Sequence, residues 1–473
     1  MTPAQRFHLD KRSFVPAFVG VWAAAFGIAP SPQYKLLVAA PPLLGMLAWW
    51  TIRAPERWLA LFFFASLLLP PLPFPIGNSG IHVAPAIALL GLAAGGLRST
   101  EWRGWRGSLP LLFVLFLAVL TGSLAFAALY SGWMVALGSL ARVFLFAIGV
   151  YVFLYTLAGP RDASSDPLAF ARFVFVIGLA GAIFACADFY FQWPAPAGYG
   201  AQFVSLVHSA MRRAQGVFYE ASTLGNFCAF FLTMILVGCF PAIKPQHGRD
   251  RVFPRVVLAP GAPVFAAALI CSYSRASVVT VAVAACAFVY VRGLKIGRVL
   301  PVACALLAVA AAVVRFALPD FWANYWLRLT SSIRFLLFIP DGVLSGRVTH
   351  WGTLTDFLAA HPWHLLFGIG YKTIPYTDYV GASVVADNTY LSLLVETGVV
   401  GLIAFALLNW AILRTALRAA RSGAIRASFF GTWIFCFWCG ELVQMLTGDL
   451  ITYWRVLPVY FWVLATAARE AGE

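Results

Sequence analysis

The sequence predicts an all-α, polytopic membrane protein. Of its 473 residues, 62% are hydrophobic and 11% are charged, whereas a soluble globular chain is about half apolar and about a quarter charged. The apolar residues form runs long enough to cross a bilayer, which takes roughly 20 residues in a helix. The basic residues are concentrated in alternate connections between these runs, as the positive-inside rule describes for membrane proteins.

By the apolar-run criterion we count about 14 transmembrane helices. Their approximate limits are 14–30, 34–52, 58–75, 80–97, 108–130, 134–158, 168–192, 221–242, 256–272, 275–291, 298–316, 389–413, 427–447 and 451–468. The sequence PPLPFP at 70–75 interrupts the pattern between the third and fourth runs. The first run follows a basic segment and has no small-residue cleavage site after it, which indicates a retained helix rather than a signal peptide.

The distribution of lysine and arginine predicts that both termini are cytoplasmic. With the N-terminus inside, the cytoplasmic connections include the basic segments 244–255 and 414–426, while Lys35 is the basic residue of the first three outer loops. This orientation divides the chain into helices 1–11 (1–316), a large loop on the outer side of the membrane (317–388) and helices 12–14 (389–473).

The net charge of +15 is explained by this topology, because cytoplasmic basic residues face anionic lipid headgroups. We therefore expect membrane lipids and no nucleic acid among the partners. The eight cysteines all fall in predicted spans. Cys436 and Cys439 form a C-x-x-C pair without a second pair or clustered histidines, which favours buried structural thiols over a metal site.

The long loop contains a segment with helical periodicity. Within 345–360, Val348, Trp351, Leu354 and Phe357 would share one face, which predicts an amphipathic helix on the membrane or against the bundle. A loop of this length is usually functional.

Several arginines stand on the predicted outer face, against the usual topology. Arg275 and Arg347 lie beside serine and small residues, and arginine presents a planar fork of donors that suits phosphate oxygens. The alternative is that such side chains extend to lipid headgroups. Arg142, inside the sixth span, either belongs to a site or forms a structural ion pair with an acid such as Asp188 or Glu441. Of these two we expect the structural ion pair.

Five motifs, in order, resemble the signature of the O-antigen ligase and O-antigen polymerase superfamily. They are R-x-x-G-x-F at 213–218, S-R-A at 274–276, S-G-R-x-x-x-W at 345–351, H-P-x-x-x-x-F-G-x-G at 361–370 and D-N-x-Y-L-x-x-L-x-E-x-G-x-x-G-L at 387–402. The resemblance covers about 210–402; the N-terminal half is similar to the family only in hydropathy.

The resemblance implies a GT-C type membrane glycosyltransferase in the bacterial inner membrane, with its active site facing the periplasm and the large loop 317–388 therefore periplasmic. Such enzymes transfer a glycan from undecaprenyl pyrophosphate to an acceptor hydroxyl without a metal or other cofactor. The acceptor is a lipid-linked repeat unit in polymerases and lipid A–core or a protein in ligases. A flippase and a chain-length regulator are further candidate partners.

The residue types suit that chemistry. A pyrophosphate leaving group needs cationic stabilisation, for which Arg275 and Arg347 are the first candidates. The acceptor hydroxyl needs a proton acceptor, and Asp387 stands where the ligases usually have histidine. Asn388 is either part of the site or the N-cap of the twelfth helix. Glu396 needs a polar partner inside the membrane, either the arginine cluster as a whole or Arg275 directly.

The histidines His350, His361 and His364 are rival bases, although His361 also reads as a turn residue. Aromatic residues such as Trp351 and Tyr390 could stack on sugars or belong to the interfacial belt. The complete predicted substrate-binding set is Arg213, Asn388, Glu396, Trp351, Gly368, Gly370, His361 and Tyr390.

Three functions remain at this point. Asp387 in place of the ligase histidine favours a polymerase of O-antigen, capsule or exopolysaccharide. A ligase shares the fold and the donor. A lipid-linked oligosaccharide flippase would also suit about 14 spans, but the sequence has no internal repeat of the kind typical of transporters.

Overall fold

The computed structural model confirms an all-α architecture. It describes residues 11–28, 32–54, 56–72, 75–76, 79–80, 82–104, 107–160, 166–194, 200, 202–205, 210–240, 255–294, a few positions between 312 and 338, 346–381 and 384–472. The predicted span 298–316 and the first part of the long loop fall almost entirely outside these residues.

The helices are numbered along the chain. They are α1 (Lys11–Ile28), α2 (Pro32–Arg53), α3 (Arg57–Leu68), α4 (Val83–Leu97), α5 (Ser108–Gly122), α6 (Leu124–Ser131), α7 (Trp133–Ala158), α8 (Pro167–Phe191), α9 (Ala221–Cys239), α10 (Arg255–Cys271), α11 (Arg275–Arg292), α12 (Arg347–Ala360), α13 (His364–Phe367), α14 (Thr389–Ala420), α15 (Ile425–Gln444) and α16 (Leu457–Glu470). Single turns of 3₁₀ helix lie at Ser99–Glu101, Ile374–Tyr376 and Leu450–Thr452.

Two short antiparallel hairpins interrupt the helices. Strands β1 (Pro75–Ile76) and β2 (Ser79–Gly80) pair between α3 and α4, with Pro75 opposite Gly80. Strands β3 (Phe203–Ser205) and β4 (Ala210–Arg212) pair before α9, with Phe203 opposite Arg212.

Among the residues described, six helical stretches are long and apolar enough to cross a membrane. They are Ser108–Ser131, Trp133–Ala158, Pro167–Phe191, Ala221–Cys239, Arg275–Arg292 and Thr389–Ala420. Shorter apolar helices lie at Arg57–Leu68, Val83–Leu97 and Leu258–Cys271. The chain is therefore a polytopic membrane protein, and the count of about 14 spans stays a prediction.

Three predicted spans have different limits in the structure. The run 58–75 ends as a helix at Leu68 because the prolines that follow lead into the β1–β2 hairpin. The run 108–130 divides at Ser123 into α5 and α6. The run 451–468 begins with a 3₁₀ turn, and α16 starts only at Leu457, with a proline in its first turn.

The core between the C-terminal helices is aromatic. Trp433 of α15 is fully buried, its ring centroid lies 4.5 Å from that of Phe230 in α9, and its indole N–H donates to the Phe230 carbonyl at 3.0 Å. Tyr460 of α16 packs on the same Phe230 ring at 4.4 Å. These contacts join α9, α15 and α16 into one packed unit. Large rings bury much apolar area, and the polar groups of Trp433 and Tyr460 are both hydrogen-bonded.

The predicted ion pair of Arg142 is wrong. Asp188 instead pairs with Arg212, at 2.5 Å between its Oδ1 and the Arg212 Nη2, and both side chains are buried. Glu441 accepts a hydrogen bond from Asn226 at 2.6 Å. The Arg142 guanidinium lies 4.4 Å from the ring centroid of Tyr376, so its partner is an aromatic ring of the loop after α13.

A break inside α14 determines the geometry of the region after α12. Gly398 has non-helical angles, φ 69° and ψ −171°, so the carbonyls before it lose their ordinary partners four residues on. The N–H of Ile369 donates to Val395 O at 3.1 Å, and that of Gly370 donates to Glu396 O at 2.8 Å. The loop after α13 thus satisfies the interrupted helix, as an interior break in a membrane span requires.

We expect Gly398→Ala to unfold at a lower temperature than the wild type. A Cβ there would lie 2.2 Å from the Leu366 carbonyl oxygen, and the left-handed backbone alone costs a non-glycine residue about 1–2 kcal/mol. Thermal unfolding in detergent measures the loss. Gly352→Ala is the matched control, because a Cβ at Gly352 in α12 meets nothing within 4 Å and alanine favours a helix. Equal melting temperatures for the two variants would contradict this packing.

Candidate active site

The candidate site lies at one end of the bundle, which we call the site face. It comprises the segments 210–220, 271–275, 346–381, 384–388 and 445–457, next to the first residues of α9, α11 and α14. Backbone hydrogen bonds hold parts of it together: Ala214 N–H donates to Cys271 O at 3.0 Å, and Thr389 N–H at the start of α14 donates to Met445 O at 2.8 Å. Residues from five predicted motifs are therefore gathered at one end of the molecule.

Asp387 and Arg347 form an ion pair at the centre of this face. The Arg347 Nε donates to Asp387 Oδ2 at 3.0 Å, and both side chains are partly exposed. The segment before Asp387 is held to α12 by two more bonds, from Trp351 Nε1 to Ala386 O at 2.7 Å and between His350 Nδ1 and Val385 O at 3.1 Å. Asp387 itself has φ 41°, a left-handed conformation that a non-glycine residue rarely adopts.

Asn388 caps α14. Its Oδ1 accepts the N–H groups of Tyr390 and Leu391, each at 3.0 Å, which is the bonding expected of an asparagine N-cap. Thr389 then anchors the first turn, because its hydroxyl donates to Gly448 O at 2.8 Å. The cap role is confirmed, and a role for Asn388 in binding substrate stays a prediction.

Arg213 and Arg275 approach from the loops before α9 and α11. The Arg213 Nε donates to the Ser272 carbonyl at 2.8 Å. Ser274 is the N-cap of α11 and its Oγ accepts the Ser277 N–H at 3.4 Å, so Arg275 is the first residue of that helix. Arg275 lies within electrostatic reach of Arg347. Two guanidinium groups held near each other form a strong positive field that favours a multiply charged anion.

Glu220 is a site residue that the sequence reasoning missed. It directly precedes α9, makes no side-chain cap bond to it, and accepts a hydrogen bond from Ser222 Oγ at 2.9 Å. Burial raises the pKa of this carboxyl, and the nearby charges of Asp387 and Asp449 raise it further, against Ser222 and Arg213. An acid before an apolar run reads as an ordinary helix start, so only the fold places Glu220 beside Asp387.

Glu396 belongs to a different cluster from the one expected. It accepts a hydrogen bond from Ser392 Oγ at 3.1 Å, and its charged neighbours are Lys372 and Asp449. Lys372 forms an ion pair with Asp449. The expectation that Glu396 holds the arginines is wrong for a geometric reason. Its own carbonyl is bound by Gly370, which brings the following loop, with Lys372, against it.

Gly368 and Gly370 have a packing role in the helix break. Both have positive φ, and a Cβ would lie 2.3 Å from the Glu396 carbonyl carbon in one case and 2.4 Å from Ala127 Cα in the other. Only glycine allows backbone to approach this closely. Their assignment to substrate binding stays a prediction.

The remaining predicted residues are distributed as follows. Tyr390 is half-buried and donates its hydroxyl to Leu442 O at 2.9 Å. His361 is exposed at the end of α12, with Nδ1 3.1 Å from Phe357 O. His364 is buried between Gly368 O and the Tyr379 hydroxyl, and burial lowers its pKa. Of the three histidines, His350 bonds the extended segment that leads to Asp387, through the Val385 carbonyl.

Within the described ranges, no group of three or more histidine, cysteine, aspartate or glutamate residues is arranged to hold a metal ion. Cys436 and Cys439 are both in α15, where Cys436 is buried and Cys439 partly buried.

The fold and the site together define a helical membrane protein with a cationic site at one end of its bundle. Residues 261–406 match the family model described as O-antigen ligase. The matched range contains Arg275, Arg347, Asp387 and the broken helix, whereas Arg213 and Glu220 precede it. The match confirms the resemblance to the O-antigen ligase and polymerase superfamily. No curated protein matches the chain.

Glu220→Gln should become more stable than the wild type as the pH rises. Because burial raises the pKa of Glu220, the folded protein holds this proton more tightly than the unfolded chain does. The resulting stability is complete below the ordinary pKa of a glutamate and is lost as the pH rises through the raised value. Glutamine is neutral throughout.

Melting temperatures measured between about pH 5 and about pH 8 test this linkage. Glu101→Gln is the control, because it removes a carboxylate that is exposed on a 3₁₀ turn. If the difference between Glu220→Gln and wild type is the same at both ends of the range, Glu220 is not held neutral by burial.

Proposed function

We propose that the protein is a glycosyltransferase that uses an undecaprenyl-pyrophosphate-linked oligosaccharide as donor. The observation on which this rests is the meeting of Arg275, Arg347 and Asp387 at the site face, within the range that matches the O-antigen ligase family model. The finer proposal is a polymerase that joins lipid-linked repeat units into O-antigen, capsule or exopolysaccharide. The site would face the periplasm from the inner membrane.

The arginines suit the departing lipid pyrophosphate. As the bond between the anomeric carbon and the pyrophosphate oxygen breaks, the electron pair stays with the oxygen and the leaving group gains negative charge. Arg275 and Arg347 would stabilise that charge, with Arg213 behind them. Preorganised cations aimed at a developing charge are among the largest contributions to catalysis.

Asp387 is the proposed proton acceptor. The acceptor hydroxyl oxygen would form the new bond to the anomeric carbon while its proton passes to the carboxylate. In the structure Asp387 forms an ion pair with Arg347, so Arg347 would orient the base as well as bind the donor. Glu220 holds its proton more readily because burial raises its pKa. A neutral Glu220 would leave Asp387 without a second negative charge beside it.

The ligase remains the alternative. It would use the same donor site and differ in the acceptor, which would be lipid A–core or a protein. The aspartate at position 387, where ligases usually have histidine, favours the polymerase. The topology in which the site face is periplasmic is supported by the distribution of basic residues along the sequence.

Arg275→Ala and Arg347→Ala should each lower the rate of glycan transfer by about 10²–10³-fold, the usual loss when one preorganised charge-stabilising donor is removed. Arg414→Ala, an exposed arginine near the opposite end of α14, is the control. Transfer is measured in proteoliposomes with purified lipid-linked repeat units. Activity near that of the wild type in both site variants would exclude the pyrophosphate role.

Asp387→Asn should reduce transfer by about 10²–10⁴-fold, the range for loss of a general base, with little change in the affinity for donor. Glu220→Gln, which retains a neutral group, should lose much less. Asp387→His tests whether an imidazole can replace the carboxylate. Equal losses in the asparagine and glutamine variants would show that the two carboxyls do not have separate roles.

A deletion strain complemented with wild-type protein separates the two acceptors. A polymerase defect should leave single repeat units on the undecaprenyl carrier and no long chains. A ligase defect should leave long chains on the carrier and unmodified lipid A–core. Gel analysis of surface glycan, with extraction of the carrier-linked intermediates, measures both, and Asp387→Asn should reproduce the deletion.

A further inference from the structure

A line of hydrogen-bonded polar side chains runs through the apolar interior between α9, α11 and α15. We call it the polar chain. All of its members are buried: Glu441, Asn226, Gln444, Thr280, Ser277 and Ser274. Groups of this kind are costly inside a membrane and usually have a function, and the proposed chemistry uses none of them.

Asn226 is the junction at the inner end of the polar chain. Its Nδ2 donates to Glu441 Oε2 at 2.6 Å and to Gln444 Oε1 at 3.1 Å. Its Oδ1 accepts the Tyr460 hydroxyl at 2.6 Å. Both ends of this amide are therefore used, and α9 is fixed to α15 and α16 by directional bonds.

The other end of the polar chain reaches α11. The Thr280 hydroxyl donates to Gln444 Oε1 at 2.6 Å, and Gln444 Nε2 donates to Ser277 Oγ at 3.3 Å. Ser277 Oγ lies 2.7 Å from the Ser274 hydroxyl. Thus Gln444 of α15 bonds to two successive turns of α11.

Ser274 connects the polar chain to the arginines. It is the N-cap of α11 and immediately precedes Arg275. Its backbone N–H donates to Ser272 Oγ at 3.2 Å, and the carbonyl of Ser272 accepts the Arg213 Nε at 2.8 Å. The line of contacts therefore leads from a membrane-buried carboxyl to two of the three arginines.

Glycines bring the same helices into close contact at this point. A Cβ at Gly225 of α9 would lie 2.7 Å from Ser274 Cβ and from Ser277 Oγ, and one at Gly440 of α15 would lie 2.5 Å from Thr280 O. Small residues allow membrane helices to approach until polar groups bond across them. Apolar packing permits a helix to slide or rotate slightly, whereas these bonds fix α11 in one register.

We propose that Asn226, Gln444 and Glu441 are positioning residues for the donor pyrophosphate. They hold the N-terminus of α11 and the turn before it, so that Arg275 and Arg213 keep the spacing that the anion requires. This inference rests on the proposed function of the site. Because hydrogen bonds rather than charge do the positioning, an amide in place of Glu441 preserves it.

The test compares two apolar substitutions of buried asparagines. Asn226→Leu breaks the polar chain. Asn409→Leu is the matched control, because Asn409 is also buried and accepts a bond from a side chain of α15, the Trp438 indole N–H at 2.8 Å, without contacting the polar chain. Melting temperature and gel filtration establish that both variants fold to a similar extent.

We expect Asn226→Leu to lower kcat/KM for transfer by about 100-fold, the scale of a misplacement of about 1 Å in a catalytic group. It should also weaken the binding of undecaprenyl pyrophosphate, which is measured without turnover. Asn409→Leu should change both quantities less than threefold. Glu441→Gln should retain transfer, whereas Glu441→Leu should behave like Asn226→Leu.

A double-mutant cycle gives the decisive readout. If the polar chain acts through Arg275, the losses of Asn226→Leu and Arg275→Lys are not additive, while those of Asn409→Leu and Arg275→Lys are. Additive losses for both pairs, or equal losses of transfer for the two leucine variants at equal stability, would overturn this inference and leave the proposed function standing. Wild-type protein that neither binds nor uses the lipid pyrophosphate would overturn the proposed function and the inference with it.

Discussion

A membrane helix that is interrupted in its interior must find partners for the backbone groups it releases, because lipid offers none. In α14 the released carbonyls of Val395 and Glu396 are taken by the backbone of the loop after α13. That loop cannot move without leaving two buried carbonyls unsatisfied, which would cost about 1–3 kcal/mol each. The residues that follow this loop are therefore held in place as well. Lys372 is brought to Asp449, and the first two turns of α14 keep Asn388 at the site face. The break at Gly398 thus fixes the loop that places Lys372 beside Asp449.

The charges at the site face suit a ligand that carries more than one negative charge. Arg347 is oriented by Asp387, and Arg275 is held within reach of the like charge of Arg347. Repulsion between two cations is relieved when a multiply charged anion lies between them, so under the proposed function the two arginines would favour binding of a pyrophosphate. The carboxyl of Glu220 moderates the field near Asp387 in proportion to its own ionisation. A neutral Glu220 leaves the face strongly cationic, which would favour the proposed anionic donor over neutral sugars.

Local features of this fold could be predicted from the sequence and distant pairings could not. Runs of apolar residues gave most helix positions, and the cap at Asn388 follows from residue type alone. The partners of charged residues could not be predicted in this way. Arg142 lies against Tyr376, and Glu396 lies near Lys372 and Asp449, whereas the sequence predicts other partners for both. Arg347 and Asp387 are 40 residues apart, Lys372 and Asp449 are 77, and Asn226 and Glu441 are 215. Hydrophobic periodicity describes which residues share a face of one helix, and it does not show which distant residues pair. The glycines of the F-G-x-G motif are evident in the sequence. Their close packing against the interrupted part of α14 depends on a break at Gly398 that the sequence pattern does not show.

Backbone strain is concentrated where the charged side chains meet. Among the described non-glycine residues with positive φ, Tyr273, Lys372 and Asp387 all lie at the site face. Each such conformation costs about 1–3 kcal/mol and persists only where surrounding contacts impose it. Those contacts are present: Tyr273 is within the serine turn that the polar chain supports, Lys372 is held by its ion pair, and Asp387 by α12. A relaxed backbone at these positions would turn Lys372 and Asp387 away from their partners. The contacts that impose these conformations, from α12, from the Lys372–Asp449 ion pair and from the polar chain, therefore keep Asp387 and the cationic side chains on one face.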